Sequence, residues 1–142
     1  EHGDIKLLDF GLVHGNLGGG RPLTQDGRVI GTPAFMSPEQ IAGKGELDAR
    51  SDIYSIGVLA CFVLTGTNPF EREEIRQIFA AHLDGALPPL NLSHVGAELE
   101  AVVRRCLAKN PAERFADAAA LEQALAACAA SRPVGQVANL RV

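Results

Sequence analysis

The sequence predicts a mainly α-helical fold with one short β element near its N-terminus. Apolar residues recur at helical spacing in three segments of the second half, and residues 52–64 are apolar nearly all round. A helix that is apolar on most sides is buried on most sides, so this stretch predicts a central helix. Residues 11–38, by contrast, are rich in Gly, Pro and polar side chains and show no helical period.

The N-terminal part predicts a strand followed by a loop. Residues 5–8 (Ile-Lys-Leu-Leu) form a short apolar run after a turn at residues 3–4, which is typical of a strand. The long loop over residues 11–38 is of a kind that is usually functional or disordered in compact domains. Its three glycines at residues 18–20 lack the spacing of a phosphate-binding loop, so they indicate a flexible segment.

Two helices are predicted in the middle of the chain. The central helix is expected over residues 52–64, with Ser51 as its N-cap and Gly66 as its terminator. A second helix is expected over residues 71–84. Its inner face is predicted to carry Ile75, Ile78, Phe79 and Leu83. His82 lies on the same face and is expected to be a packed core residue, because the histidines show no metal-ligand spacing.

Two further helices and a tail complete the prediction. A helix over residues 98–109 stops at Asn110-Pro111, and a last, Ala-rich helix is expected from a cap at Asp117 to about residue 130. The inward residues of these two helices are predicted to be Leu99, Val102, Val103, Cys106 and Leu107, then Leu121, Leu125 and Cys128. Residues 131–142 are expected to be a tail or linker, because proline and glycine interrupt any period.

The bulk composition suits one compact domain and excludes some kinds of partner. A chain of 142 residues with 46% hydrophobic residues can form a buried core. The formal net charge of −4, with no basic stripe, gives no reason to expect nucleic acid as a partner. The three cysteines are far apart and odd in number, which favours buried free thiols over a disulfide framework. No apolar run reaches the roughly 20 residues of a membrane span.

Five short motifs follow one another along the chain. The first three are residues 7–11 (Leu-Leu-Asp-Phe-Gly), 31–39 (Gly-Thr-Pro-Ala-Phe-Met-Ser-Pro-Glu) and 52–57 (Asp-Ile-Tyr-Ser-Ile-Gly). The last two are residues 66–70 (Gly-Thr-Asn-Pro-Phe) and 110–115 (Asn-Pro-Ala-Glu-Arg-Phe). In this order the five motifs resemble the large, C-terminal lobe of protein kinase domains. The sequence of the second motif resembles eukaryotic-like bacterial Ser/Thr kinases more than Tyr kinases.

The resemblance implies a domain organisation for the chain. Residues 1–130 would be the C-terminal lobe of a kinase domain that starts just before the Asp-Phe-Gly motif, and residues 131–142 would be the tail. Within the lobe, residues 9–39 would form the activation segment and residues 51–130 the helical subdomain. The implied fold class is therefore an incomplete kinase-like large lobe, mainly α.

The resemblance also implies roles for the first motif. Asp9 would be a ligand for Mg²⁺ or Mn²⁺, because hard cations prefer carboxylate oxygens and phosphoryl transfer from ATP needs charge neutralised on the phosphates. Phe10 would pack against the catalytic core, and Gly11 would be the hinge because it permits positive φ. Taken alone, Asp9 is better explained as a turn cap at a strand end; the other motifs favour the metal-ligand interpretation.

Two threonines of the loop have implied roles of their own. Thr32 would lie on the substrate side, where its hydroxyl would hydrogen-bond the catalytic Asp and Lys; the alternative is an ordinary turn residue before Pro33. Thr24 is a candidate phosphorylation site, since an added phosphate held by arginines would order the loop. A solvated loop threonine is the alternative there. Thr32 is a second candidate phosphosite, although a phosphate would disturb its positioning role.

Three charged residues are implied to hold the lobe together. Glu39 and Arg114, far apart in sequence, would form a buried ion pair between the activation segment and the helical subdomain. Asp52, at the head of the central helix, would accept backbone N–H bonds from the catalytic loop, and the helix N-terminus favours its charge in any case. Tyr54 is expected to be core.

Parts of the family's active site have no counterpart in this sequence. The Gly-rich loop over ATP, the strand lysine and the His-Arg-Asp loop with the catalytic base all precede the Asp-Phe-Gly motif in the family. The resemblance implies that the parent is a Ser/Thr kinase that uses ATP. Because these parts of the active site are missing, this chain alone is expected to be inactive. Without its covering segments, the central helix is expected to expose apolar surface.

The alternative function is a pseudokinase or scaffold with the same fold, which uses its surface to bind other proteins. The expected partners are ATP and protein substrates, not nucleic acid, with a homodimer for trans-phosphorylation of the activation loop as a further candidate. The protein is expected in the cytoplasm, and a membrane anchor elsewhere in the parent stays open.

Overall fold

The computed structural model describes residues 33–43, 47–84 and 86–131 of the chain. Within these ranges every regular element is helical, which confirms the mainly α prediction there. The predicted strand at residues 5–8 and most of the predicted loop lie outside the described residues, as does the tail after residue 131.

The described elements are five α-helices and two 3₁₀ turns. The helices are α1 (Pro38–Ala42), α2 (Ala49–Thr65), α3 (Ile75–Leu83), α4 (Ala97–Cys106) and α5 (Ala118–Ala130). One 3₁₀ turn, Pro33–Phe35, precedes α1, and the other, Pro111–Glu113, precedes α5. The long helix α2 packs against α4, α5 and the Pro33–Phe35 turn, while α3 packs against α1 and that same turn.

The central helix begins earlier than predicted. Asp48, not Ser51, is the N-cap of α2, and its carboxylate accepts a hydrogen bond from the Arg50 N–H at 2.9 Å. The prediction followed the apolar run, which begins only at Ile53, so it missed a first turn (residues 49–52) that has no large apolar residue and that a cap can support. Gly66 ends the helix as predicted, at φ 74°, with its N–H donating to the Phe62 carbonyl.

The helix α3 is shorter than predicted and buries a different strip. It starts at Ile75 instead of residue 71, and both Ile75 and Leu83, predicted to face inward, are exposed, at 39% and 48%. The covered strip runs through Ile78, Phe79 and His82. This side of the helix faces α1, the Pro33–Phe35 turn and the Tyr54 and Phe70 rings. His82 is fully buried, so its prediction as a core residue is confirmed.

The last two helices follow the prediction more closely. The helix α4 stops at Cys106, before the predicted end at Lys109, and its C-cap Leu107 is buried together with Val103 and Cys106. Asp117 caps α5 as predicted, accepting from the Ala120 N–H at 2.8 Å. The inward prediction holds for Leu121 but is wrong for Leu125, which is 41% exposed. The reason is that the apolar cluster packed against α5 ends at Ala124.

Two apolar clusters form the core, and α2 contributes to both. The larger cluster centres on Tyr54, Val58, Phe70 and Leu107, and the smaller one joins Ile53, Cys106, Phe115 and Leu121. Where the two meet, α2 and α4 approach so closely that a Cβ on Gly57 would lie 2.7 Å from the Cβ of Cys106. A side chain at this position would collide with the backbone-proximal atoms of α4.

The cysteines are free, as the sequence predicts. Cys61 and Cys106 are buried and Cys128 is half-buried. Burial raises the pKa of the Cys61 and Cys106 thiols to about 11, so both stay protonated and unreactive at neutral pH. Among the helices of the described ranges, none combines the length and the apolar character needed to cross a bilayer.

Candidate functional site

The candidate site is built around the segment from the Pro33–Phe35 turn to the end of α1. Local chemistry explains why this segment starts a helix at residue 38. The Ser37 hydroxyl accepts from the Gln40 N–H at 3.4 Å, and the Gln40 side chain accepts from the Ser37 N–H at 2.8 Å, which is a reciprocal capping box. Pro38 occupies the first helical position, where its missing N–H costs nothing. The helix places Glu39 in its first turn.

The structure brings Glu39 and Arg114 together in a bidentate ion pair. Nη1 of Arg114 donates to Oε1 of Glu39 at 2.7 Å and Nη2 donates to Oε2 at 2.9 Å. The Arg114 side chain is fully buried, and that of Glu39 is 13% exposed. Ser51 adds a hydrogen bond from its hydroxyl to Oε1 of Glu39 at 2.7 Å.

The environment of Glu39 strongly favours its ionised form. Burial raises the pKa of this carboxyl, but the hydrogen bonds from Arg114 and Ser51 outweigh that effect and bring the pKa down to about 2. The carboxylate is therefore charged throughout the physiological pH range, as the ion pair requires.

Arg114 uses all five of its N–H donors. Apart from the two bonds to Glu39, its Nε donates to the Ala108 carbonyl at 2.7 Å, its Nη1 to the Arg50 carbonyl at 2.7 Å and its Nη2 to the Lys109 carbonyl at 3.2 Å. The guanidinium also lies over the Tyr54 ring, 4.9 Å from the centroid. One side chain thus joins α1, the start of α2 and the loop that follows α4.

The other predicted site residues fall in two groups. Asp52 lies in the first turn of α2 and is exposed. Its hydrogen bonds to a catalytic loop remain a prediction. The second group, Asp9, Phe10, Gly11, Thr24 and Thr32, lies outside the described residues. Thr32 directly precedes the Pro33–Phe35 turn, whose position is described in full.

Two polar residues that contact this turn were missed by sequence reasoning. The Ser55 hydroxyl donates to the Phe35 carbonyl at 2.8 Å, and the Asn68 amide donates to the Ala34 carbonyl at 2.9 Å. The available signal was only that Ser55 and Asn68 each lie inside one of the five motifs, within residues 52–57 and 66–70. Nothing in the spacing indicates that both reach the same turn.

A buried polar cluster lies behind the turn. The Tyr54 hydroxyl is 2.9 Å from Nδ1 of His82, and Lys109 donates from Nζ to the His82 carbonyl at 2.7 Å and to the Ala81 carbonyl at 3.1 Å. The Phe70 ring packs on the His82 ring, with centroids 4.2 Å apart. Lys109 thereby supplies donors to carbonyls at the end of α3, where a cation is favoured.

Burial makes this cluster sensitive to protonation. Desolvation, reinforced by the charge of Lys109 and opposed by the Ala34 backbone, lowers the pKa of His82 to about 4. Desolvation likewise lowers the pKa of Lys109 to about 8, while burial raises that of Tyr54. Near neutral pH, His82 is therefore uncharged and Lys109 is largely charged.

Folding lowers the pKa of His82 from 6.5 to about 4, so the folded protein favours the neutral ring. The stability that depends on this neutral ring is complete above about pH 6.5 and is lost as the pH falls towards 4. We expect the free energy of unfolding to fall across this window, and His82→Gln to remove most of the slope. Urea titrations at a series of pH values measure this. His94→Gln, which replaces an exposed histidine, is the matched control and should retain the slope; equal slopes for wild type and His82→Gln would contradict the assignment.

Comparisons with known proteins identify the family of the chain. The sequence profile of the protein kinase domain matches residues 1–126. The Ser/Thr-protein kinase PknL of Mycobacterium tuberculosis is 39% identical over 131 residues, which cover 91% of this chain and 32% of the relative. Pkn1 of Myxococcus xanthus is 41% identical over 85% of this chain, and PknB of M. tuberculosis is 41% identical over 81%; each match covers 18% of the relative. The chain thus spans about a third or less of these relatives.

A solved structure shows the same fold. The kinase region of twitchin from C. elegans superimposes with a TM-score of 0.56 at 24% identity, over 66% of this chain and 16% of that one. Together with the profile match over most of the chain, this establishes that the chain belongs to the protein kinase family and has the mainly helical fold of its large lobe.

Proposed function

We propose that this chain is part of a Ser/Thr protein kinase that transfers the γ-phosphate of ATP to Ser or Thr hydroxyls of protein substrates. The observation that carries the proposal is the Glu39–Arg114 pair, which holds the end of the 33–42 segment against α2 and the 108–114 loop. Phosphoryl transfer depends on positioning and on charge stabilisation more than on covalent chemistry of the protein. A segment fixed by a fully satisfied buried arginine meets the positioning requirement.

The nucleotide side of the site is proposed from the sequence motif at residues 9–11. Asp9 would hold Mg²⁺ or Mn²⁺, which neutralises charge on the ATP phosphates when it is bound. Phe10 and Gly11 would set and permit the orientation of that carboxylate. The catalytic base, the strand lysine and the Gly-rich loop would come from other parts of the parent protein, so we expect this chain by itself to transfer no phosphate.

Phosphate transfer to myelin basic protein from radiolabelled ATP tests this function in the full-length protein. We expect Asp9→Asn to lower kcat by about a hundredfold or more, in line with the loss of one preorganised electrostatic group. The control is Asp117→Asn, because asparagine caps a helix about as well as aspartate and α5 begins far along the chain from residue 9. An active protein in which Asp9→Asn has no effect would contradict the role of Asp9, and an inactive full-length protein would contradict the function.

A protein-binding role without catalysis is the second candidate, and one observation favours it. Apolar side chains of α2 are exposed, with Phe62 at 46% and Val63 at 64%. Beside them, a groove of about 330 Å³ between α2, α4 and α5 is lined almost entirely by carbon atoms. Surfaces of this kind mark sites where other protein segments pack. ATP binding without phosphate transfer by the full-length protein would favour this scaffold function over the kinase.

A further inference from the structure

The Pro33–Phe35 turn is held by hydrogen bonds from outside itself. Two of its carbonyls accept from side chains of other segments: Phe35 from Ser55 on α2 at 2.8 Å, and Ala34 from Asn68 in the loop after α2 at 2.9 Å. A 3₁₀ turn of three residues has little stability of its own, so outside donors decide where it lies. The Phe35 side chain adds packing against the larger core cluster.

Both donor side chains are themselves oriented. The Oδ1 atom of Asn68 accepts from the Phe70 N–H at 2.8 Å, which fixes the amide so that Nδ2 faces the Ala34 carbonyl. Asn68 is only 9% exposed, so water does not compete freely for this donor. Ser55 sits on the rigid frame of α2, and its hydroxyl also lies 3.3 Å from the Ser51 carbonyl. These are preorganised contacts, because their partners are fixed before any ligand arrives.

The buried face of α3 supports the turn from a third side. Nδ1 of His82 lies 2.9 Å from the Tyr54 hydroxyl, which donates to it when the neutral ring carries its proton on Nε2. Nε2 of the same ring has no hydrogen-bond partner among the described residues. The helix α3 therefore supports the turn by packing, which adds to the two hydrogen bonds from Ser55 and Asn68.

We propose that Ser55 and Asn68 are positioning residues for the acceptor side of the phosphoryl-transfer site. They fix the Pro33–Phe35 turn, so that the protein substrate meets one defined backbone conformation there. This inference rests on the proposed kinase function. A displacement of about 1 Å in such a segment is enough to change a rate by up to about a hundredfold. The nucleotide side is proposed at residues 9–11, and neither hydrogen bond involves those residues.

Kinetics of the full-length protein with myelin basic protein as acceptor test the role. Ser55→Ala removes one donor and leaves a good helix former, and Asn68→Asp keeps the acceptor for the Phe70 N–H while removing the donor to Ala34. We expect each change to raise the KM for the acceptor about three- to tenfold, the effect of one hydrogen bond, with the KM for ATP unchanged. The control Ser131→Ala also removes a serine hydroxyl, one that donates to the Glu98 carboxylate at 2.8 Å and to the Cys128 carbonyl at 3.0 Å at the end of α5, and it should change neither constant.

Hydrogen exchange of the same proteins separates this inference from the proposed function. Ser55→Ala and Asn68→Asp should speed exchange of the amides of residues 34–36, whereas Ser131→Ala should not. An unchanged acceptor KM in an active protein, or unchanged exchange at the turn, would overturn the positioning role. If the full-length protein transfers no phosphate, the kinase function fails, and exchange alone decides whether these two residues hold the turn.

Discussion

Arg114→Ala is expected to destabilise the protein by about 3–5 kcal/mol, the usual cost of removing one partner from a buried ion pair. The change leaves the Glu39 carboxylate without its main partner and leaves three backbone carbonyls without their donor. Protonation of Glu39 would relieve part of this cost, because its pKa of about 2 depends on the arginine. Urea denaturation of the full-length protein at neutral pH measures the loss.

Two further variants show whether the buried ion pair accounts for the loss of stability in Arg114→Ala. Arg104→Ala breaks an exposed ion pair with Glu100 at the (i, i+4) spacing, and should cost at most about 0.5 kcal/mol. Arg114→Lys keeps the charge but cannot reproduce the planar fork or its five donors, so it should recover only part of the stability. If Arg114→Ala and Arg104→Ala had equal effects, the ion pair with Glu39 would not be the dominant connection.

Gly57→Ala is expected to destabilise the protein by about 1–3 kcal/mol, the range for overpacking a filled core. The new Cβ would lie 2.7 Å from the Cβ of Cys106 and 3.1 Å from side-chain atoms of Leu107, so α2 and α4 would have to separate. Helix propensity alone predicts the opposite sign, since alanine is favoured over glycine within a helix by about 1 kcal/mol. The sign of the change in the unfolding free energy therefore distinguishes the two effects.

The reverse substitution in the same helix is the control for Gly57→Ala. Ala60→Gly should destabilise α2 by about 1 kcal/mol or somewhat more, through lost propensity and lost packing against the larger core cluster. If alanine is harmful at residue 57 and glycine is harmful at residue 60, close approach of α4 is the cause. A stabilised Gly57→Ala variant would show that the two helices separate at little cost.

Sequence reasoning was most successful where a short segment determines its own structure. Gly66 and Asp117 act at helix ends as predicted, because a positive-φ glycine and a capping carboxylate need only their neighbours in the chain. The burial of His82 was predicted for a similar reason, from its place on an apolar face. Periodicity failed at the start of α2, where the first turn has no large apolar residue, and on α3, where Ile75 and Leu83 share the spacing of the buried residues but are exposed.

Less of the candidate site than of the fold could be predicted from the sequence. No periodicity connects Glu39 with Arg114, so their pairing was expected only through the resemblance to a family. The roles of Ser55 and Asn68 depend on the path of the Pro33–Phe35 turn, which is set by tertiary contacts that local patterns do not encode. The glycine at residue 57 belonged to a recognised motif, but its physical reason, the proximity of Cys106, appears only when α4 is in place.

The bonds of Arg114 also link the unfolding of two segments that are distant in sequence. The helix α1 has five residues, far too few to persist alone, so its order depends on its packing against α3 and on the ion pair of Glu39 with Arg114. Loss of Arg114 is therefore expected to weaken the segment 33–42 and the loop that contains Arg114 together. A truncation before residue 110 should make the segment 33–42 an early site of protease cleavage, although no residue near that segment in the sequence has been changed.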